Sequence, residues 1–308
     1  MKLAICTHED CFLHEMGLGH PESPARLASV MDALRSPDLK PNLDFYQSPQ
    51  ASKEQLALAH EPDYIENIFA SAPGFGYAWV DSSTSMNTFT LSGALHAVGA
   101  LIQATDLVMQ GKYQRAFCPV RPPGHHAERD RAMGFCFFNN IALAALHAQR
   151  AYGVERVAII DFDVHHGNGT EEIISDKAGI RLFSSFQNPL FPYSGLDPLS
   201  DRCNNQAMQA GSTGLDYQDM FEREWLPQLQ DFRAELYLVS AGFDAHKHDP
   251  LANINLHAGD YYWITQRIVS LANKTAEGRV ISALEGGYHL EALADSVREH
   301  VKAMMELN

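Results

Sequence analysis

Cysteine is scarce in this chain: five residues among 308 (Cys6, Cys11, Cys118, Cys136, Cys203), with no CxxC pair. An odd number without paired spacing speaks against a disulfide framework and for thiols kept reduced, so the cytoplasm is the expected compartment. Positive charge is also short. Lys and Arg number 23 against 38 Asp and Glu, a formal net charge of -15. Phosphate backbones are gripped by clustered cations, so no direct nucleic-acid binding is expected, and a neutral or basic substrate suits the chain better. No apolar run is read as long enough to span a membrane. The opening stretch MKLAICTHEDCFLHEMG is broken by His8, Glu9 and Asp10 too early to act as a signal peptide. Repeats, low-complexity tracts and long blocks of like charge are missing, so nearly the whole chain is expected to fold, in an oligomeric state the sequence leaves open.

What is present is alternation. Apolar runs rich in Val, Ile and Phe occur as LAIC (3–6), RAFC (115–118), RVAIIDFD (156–163), IRLFSS (180–185), ELYLVSA (235–241) and GRVISAL (278–284). Helical periodicity fills the spaces, over 23–35, 52–70, 88–111, 138–151, 216–230, 258–275 and 289–306. With 45% hydrophobic residues, the pattern predicts one α/β domain over 1–308, a three-layer α/β/α arrangement with a central, mainly parallel sheet.

Ligands of such sheets bind beyond the carboxyl ends of the strands. Four runs end in polar motifs: RPPGHHAERD (121–130), DFDVHHGNG (161–169), SAGFDAHKHDP (240–250) and LEGGYHL (284–290). Asp161, Asp163 and His165 alternate along a strand end, which sends them to one face. With Asp244 from another strand, Asp163 and His165 offer two carboxylates and an imidazole with a position left for water, as in a catalytic zinc site; Fe(II) or Co(II) fits the same donors. Any one of these acids alone would serve as a turn former or helix cap. Four apolar strands each delivering such groups favour a metal. One of His125 and His126 can reach the bound water as acid or base, and Tyr288 can polarise a carbonyl, although each type also occurs simply half-buried.

Taken together, RPPGHHAERDRAMGFCFFNN, DFDVHHGNGT, SAGFDAHKHDPL, LEGGYHL and the early MGLGHPESPARL (16–27) resemble the histone deacetylase family of the arginase-deacetylase superfamily, in particular its class II-like and bacterial amidohydrolase members. The resemblance implies zinc on Asp163, His165 and Asp244, and hydrolysis of N-acyl amines. It makes His126 the principal general base and acid, pairs His125 with Asp161, and gives Tyr288 the transition state. Asn168 stands where class I enzymes carry an aspartate behind the second histidine. Gly134, Phe135 and Phe191 match the walls of an acyl-lysine tunnel, Asp81 the acid that binds the substrate backbone, and Asp161, Asp163, His165, Ser184 and Ser185 the positions around a structural potassium. Polyamine deacetylases carry a glutamate seven residues after the last aspartate ligand. Here that residue is Leu251, which favours acyl-lysine in a protein or peptide over a small acylated amine.

Overall fold

The computed structural model describes residues 1–307. Eight parallel strands form one sheet in the order β2-β1-β5-β10-β9-β6-β7-β8, from β1 (Leu3–Thr7), β2 (Leu43–Gln47), β5 (Arg115–Cys118), β6 (Val157–Asp161), β7 (Ile180–Gln187), β8 (Cys203–Met208), β9 (Leu236–Ala241) and β10 (Val280–Leu284). A separate two-stranded hairpin joins β3 (Ala78–Trp79) to β4 (Ser85–Met86). All six expected strands are present. β1, β5, β6, β9 and β10 are buried at every position, as strands covered on both faces must be. The unexpected strands β2 and β8 are the two edges of the sheet. There LDFYQ and CNNQAM are half exposed, and Asp and Asn carry little strand propensity, so a neighbour's open backbone groups recruit them.

All seven expected helical stretches are present, two of them divided, and short helices at Asp10–Leu13, Lys40–Asn42 and Asn168–Ile174 were not expected. The stretch 52–70 divides into Lys53–Leu56 and Pro62–Ser71, because Pro62 starts a helix at its first position but cannot continue one. The stretch 216–230 forms Gly214–Met220, a π-helical Phe221–Trp225 and Leu226–Phe232; Pro227 lacks an N–H and crowds the carbonyl four residues back, and the widened turn relieves it. One expectation is corrected. Helix Thr90–Met109 is long and apolar enough to cross a membrane by length and composition, but it packs on the sheet and on helix Asn140–Tyr152, mostly buried, with Gly, Ala and Thr allowing close approach.

Two buried histidines place an acid limit on this core. His300 bonds the hydroxyls of Thr265 (2.6 Å) and Ser282 (2.9 Å), and burial depresses it to about 3. His60 lies between the Glu128 carbonyl and the Asn139 N–H, both at 2.9 Å, and burial depresses it to about 4. Both stay neutral when folded but take up a proton near pH 6.5 when unfolded. Their contribution is therefore complete above that pH and is lost as pH falls toward the folded values. At pH 5 the loss is roughly 2 kcal/mol for each, so the urea midpoint is expected to drop clearly between pH 7.5 and pH 5. Equal midpoints would contradict it.

Candidate metal centre and its tunnel

The four polar motifs follow β5, β6, β9 and β10, and these strands are contiguous in the sheet as β5-β10-β9-β6. Adjacency at one sheet end is what brings residues as far apart in sequence as His125 and Tyr288 into a single site. Asp163, His165 and Asp244 converge, one donor atom from each lying within 4.8 Å of the others. His165 Nδ1 faces Asp163 Oδ1 at 3.0 Å and Asp244 Oδ2 at 3.1 Å. Backbone donors fix both acids: Val164 N–H to Asp244 Oδ1 (2.9 Å), and Gly286 N–H to Asp163 Oδ2 (2.8 Å). A Cβ on Gly286 would stand 2.0 Å from Asp244 Oδ2, so only glycine admits both carboxylates here. The next residue, Gly287, has φ +117°, which turns the chain so that Tyr288 reaches the tunnel.

The electrostatics ask for a cation. Burial works against a charged imidazole at His165, yet its bonds to Asp163 and Asp244 outweigh burial and lift it to about 10. Asp244 is raised by burial and by its neighbour Asp163. Asp161, Asp163 and Asp244 are three buried acids set against two imidazoles, His125 and His165, and a divalent ion suits the donor set of Asp163, His165 and Asp244. A second cluster among the described residues, His8, Asp10 and His96, fits an ion less well. Its two rings stack face to face at 3.4 Å and 3°, so their in-plane lone pairs run side by side instead of converging.

Around this centre the histidines differ. His125 Nδ1 faces Asp161 Oδ2 at 3.0 Å; burial is outweighed by Asp163 and Asp161, which raise it to about 10. His126 Nδ1 faces Asn168 Oδ1 at 2.8 Å, and burial together with the nearby His125 and His165 holds it well below its ordinary value. Asn168 is itself oriented by donating Nδ2 to Glu128 (2.7 Å). An amide oxygen accepting from Nδ1–H leaves Nε2 of His126 as a free base.

The centre lies at the floor of a tunnel of about 270 Å³ lined by Ser83, His126, Gly134, Phe135, His165, Leu190, Phe191, Tyr193, Leu251 and Tyr288. The expected wall residues Gly134, Phe135, Phe191 and Leu251 are all there. Phe191 stands edge-on to His126 at 5.1 Å and Phe135 edge-on to Tyr288 at 6.1 Å. Burial raises the Tyr288 phenol well above its ordinary value, despite the Arg26 guanidinium 4.7 Å from its ring, so the hydroxyl keeps its proton.

Asp81 is not brought to the tunnel. Its Oδ1 accepts from the Ser83 N–H (2.7 Å), the Thr84 N–H (2.7 Å) and the Ser83 hydroxyl (3.0 Å), and its Oδ2 from the Thr84 hydroxyl (3.2 Å). It closes its own turn, and Ser83 lines the mouth instead. Ser184 is the register partner of Asp161, with its hydroxyl bonded to His166 Nδ1 at 3.0 Å, whereas the Ser185 hydroxyl meets Tyr217 at 2.9 Å.

Residues with no role read from sequence support the site from behind. Arg26, fully buried, donates to the carbonyls of Gly287 (2.6 Å) and Glu285 (2.5 Å) and to Glu22 (3.1 Å). Glu22 also binds Arg121. Glu285 accepts from the N–H groups of Gly124 (2.7 Å) and His125 (3.2 Å), and burial raises it to about 7. Asp249 Oδ2 accepts from the Tyr288 N–H (2.7 Å) and Oδ1 from the Leu251 N–H (3.0 Å), coupling tyrosine and tunnel mouth. These residues sit inside the recognised motifs; the one available signal was a charged residue fixed within an otherwise apolar or Gly-Pro context.

The histone deacetylase domain matches residues 20–304. The chain belongs to the histone deacetylase family. Within it, the chain is 37% identical to the histone deacetylase-like amidohydrolase of Pseudomonas aeruginosa, over 88% of this chain and 73% of that protein. It is 34% identical to the polyamine deacetylase HDAC10 of Mus musculus, over 99% of this chain and 48% of that protein. The crystal structure of the HDA15 HD domain superposes with a TM-score of 0.93 at 30% identity, covering 99% of this chain and 88% of that one. This histone deacetylase family member has the family's α/β fold and is a hydrolase acting on amides.

Proposed function

We propose that the chain hydrolyses Nε-acyl-lysine in proteins or peptides, with zinc on Asp163, His165 and Asp244. The observation that carries the substrate class is the tunnel wall, where Leu251 is one of the lining residues and no carboxylate joins them apart from the metal-centre acids at the floor. The methylene stem of an acyl-lysine suits apolar walls, whereas the second ammonium of an acylated polyamine finds no partner there. Fe(II) or Co(II) would satisfy the same donors, and a structural potassium would take oxygen ligands at Asp161, Asp163, His165, Ser184 and Ser185, of which Ser184 pairs with Asp161 in the sheet while the Ser185 hydroxyl is taken by Tyr217. Five free, buried cysteines fit a reducing compartment such as the cytoplasm.

A bound divalent ion supplies Lewis acidity toward the acyl carbonyl and lets water lose a proton near neutral pH. His126 Nε2 takes that proton as water adds to the carbonyl carbon. Tyr288 donates a hydrogen bond to the carbonyl oxygen as negative charge builds on it. His126 then returns the proton to the departing amine as the C–N bond breaks, giving a carboxylate and free lysine. His125, tied to Asp161, stands beside the site in a fixed orientation. The test is a panel of acyl-lysine peptides against N-acetylputrescine and N-acetylspermidine, with zinc content measured on the same sample. Much faster turnover of the acetylpolyamines would replace this reading with an acetylpolyamine amidohydrolase.

Asn168→Asp offers a separate check on the base. A carboxylate beside Nδ1–H favours cationic His126, so a higher pH is needed to free Nε2. The acid limb of kcat/KM is expected to move up by about one pH unit. A limb that stays in place would remove Asn168 from control of His126.

A further inference from the structure

The tunnel has a neighbour. Asp81 and Ser83 belong to one tight turn, yet Asp81 lines a groove of about 510 Å³ while Ser83 lines the tunnel. The same division falls between Met133, in the groove, and Gly134, in the tunnel. The two segments are tied together where the Phe135 N–H donates to the Thr84 hydroxyl at 3.2 Å, and they form one thin ridge between the cavities. The groove lining is mixed, and its apolar part comes from Ile68 of helix Pro62–Ser71, 4% exposed, with Ala132 and Met133. Trp79, which remains 66% exposed, and Val80, at 36%, line it too. A tryptophan left mostly in water next to a binding site is the kind of anchor that interfaces use.

We infer that this groove receives an apolar side chain of the substrate polypeptide, two residues from the acyl-lysine that enters the tunnel. In an extended peptide, side chains two apart point to the same side, roughly 7 Å from one another. The ridge to be crossed is a single turn, residues 81–84, bonded to residue 135. The edge of the groove favours a basic polypeptide: it carries Asp81 and Asp130, its Arg131 is paired with Glu128 at 2.8 Å, and the whole chain is acidic. An apolar side chain beside an acyl-lysine fills the apolar part of the groove, which an acylated polyamine, having no such side chain, leaves empty. This inference rests on the acyl-lysine reading of the tunnel.

The test uses the zinc-loaded enzyme and kcat/KM. Substrates are a minimal Nα-acetyl-Nε-acetyl-lysine amide and peptides with Ala, Leu or Phe two residues before or after the acetyl-lysine. At one of those positions, Leu or Phe is expected to raise kcat/KM about tenfold over Ala, mainly through KM, in keeping with burial of one large apolar side chain. Trp79→Ala should reduce that preference to within twofold and leave the minimal substrate at its original rate, and Trp79→Phe should retain most of it. Ala and Leu peptides turned over equally, or a preference that survives Trp79→Ala, would overturn the groove assignment while acetyl-lysine turnover stands. If acetylpolyamines alone are hydrolysed, the acyl-lysine reading fails and the groove assignment falls with it.

Discussion

Tyr288→Phe is expected to lower kcat by roughly a hundredfold or more, the size associated with losing one oxyanion donor, while zinc content and KM stay close to those of the unchanged enzyme. The ring is held by its surroundings and not by its hydroxyl. Arg26 lies against its face, Phe135 meets it edge-on, and its backbone N–H is fixed by Asp249. Phenylalanine preserves all three contacts. What it removes is a hydrogen-bond donor whose proton is retained because burial raises the phenol well above its ordinary value. An interaction made only as charge develops on the carbonyl oxygen appears in kcat and not in ground-state binding. Stopped-assay kinetics with a metal determination on the same preparation checks this, and an unchanged kcat would take Tyr288 out of the mechanism.

Asp244→Asn should abolish turnover to the limit of detection, and its more telling effect is on stability. Asp244 is raised by burial and by Asp163 but also partners His165, so in the metal-free protein the amide removes a buried charge while weakening one contact to that imidazole. The metal-free variant is expected to melt close to the metal-free parent. Adding zinc should then separate them. Ligand at a hundred times its dissociation constant stabilises a folded protein by about 2.7 kcal/mol, which the parent gains and the variant, short of one charged donor, largely does not. Thermal melts with and without zinc read this without any assay of activity. An equal zinc-induced shift in both proteins would exclude Asp244 as a ligand.

Much of this molecule was legible before any coordinates. The six interior strands announce themselves because residues buried on both faces are mostly apolar, as VAIID and LYLVSA are. Asp161, Asp163 and His165 could be placed on one face because a strand repeats every two residues. The edge strands β2 and β8 could not be read, since LDFYQ and CNNQAM gain their strand character from the neighbour that pairs with them. Asp81 shows the same limit in a side chain. Its motif resembles one that binds substrate, but whether a carboxylate points outward or closes its own turn depends on the hydrogen bonds available within about 3 Å, which sequence spacing does not contain.

By itself, then, the sequence determined the parallel α/β architecture, the donor types at four strand ends and an apolar residue at position 251. Tertiary structure alone decided that β5, β10, β9 and β6 stand side by side. It also decided that Arg26, Glu285 and Asp249 turn inward to hold Tyr288 and the histidine pair, and that a second groove lies one turn from the tunnel. The physical reason is common to all of these. Periodicity and composition report which surfaces avoid water, whereas strand order and the direction of a polar side chain are set by contacts between segments far apart in the chain.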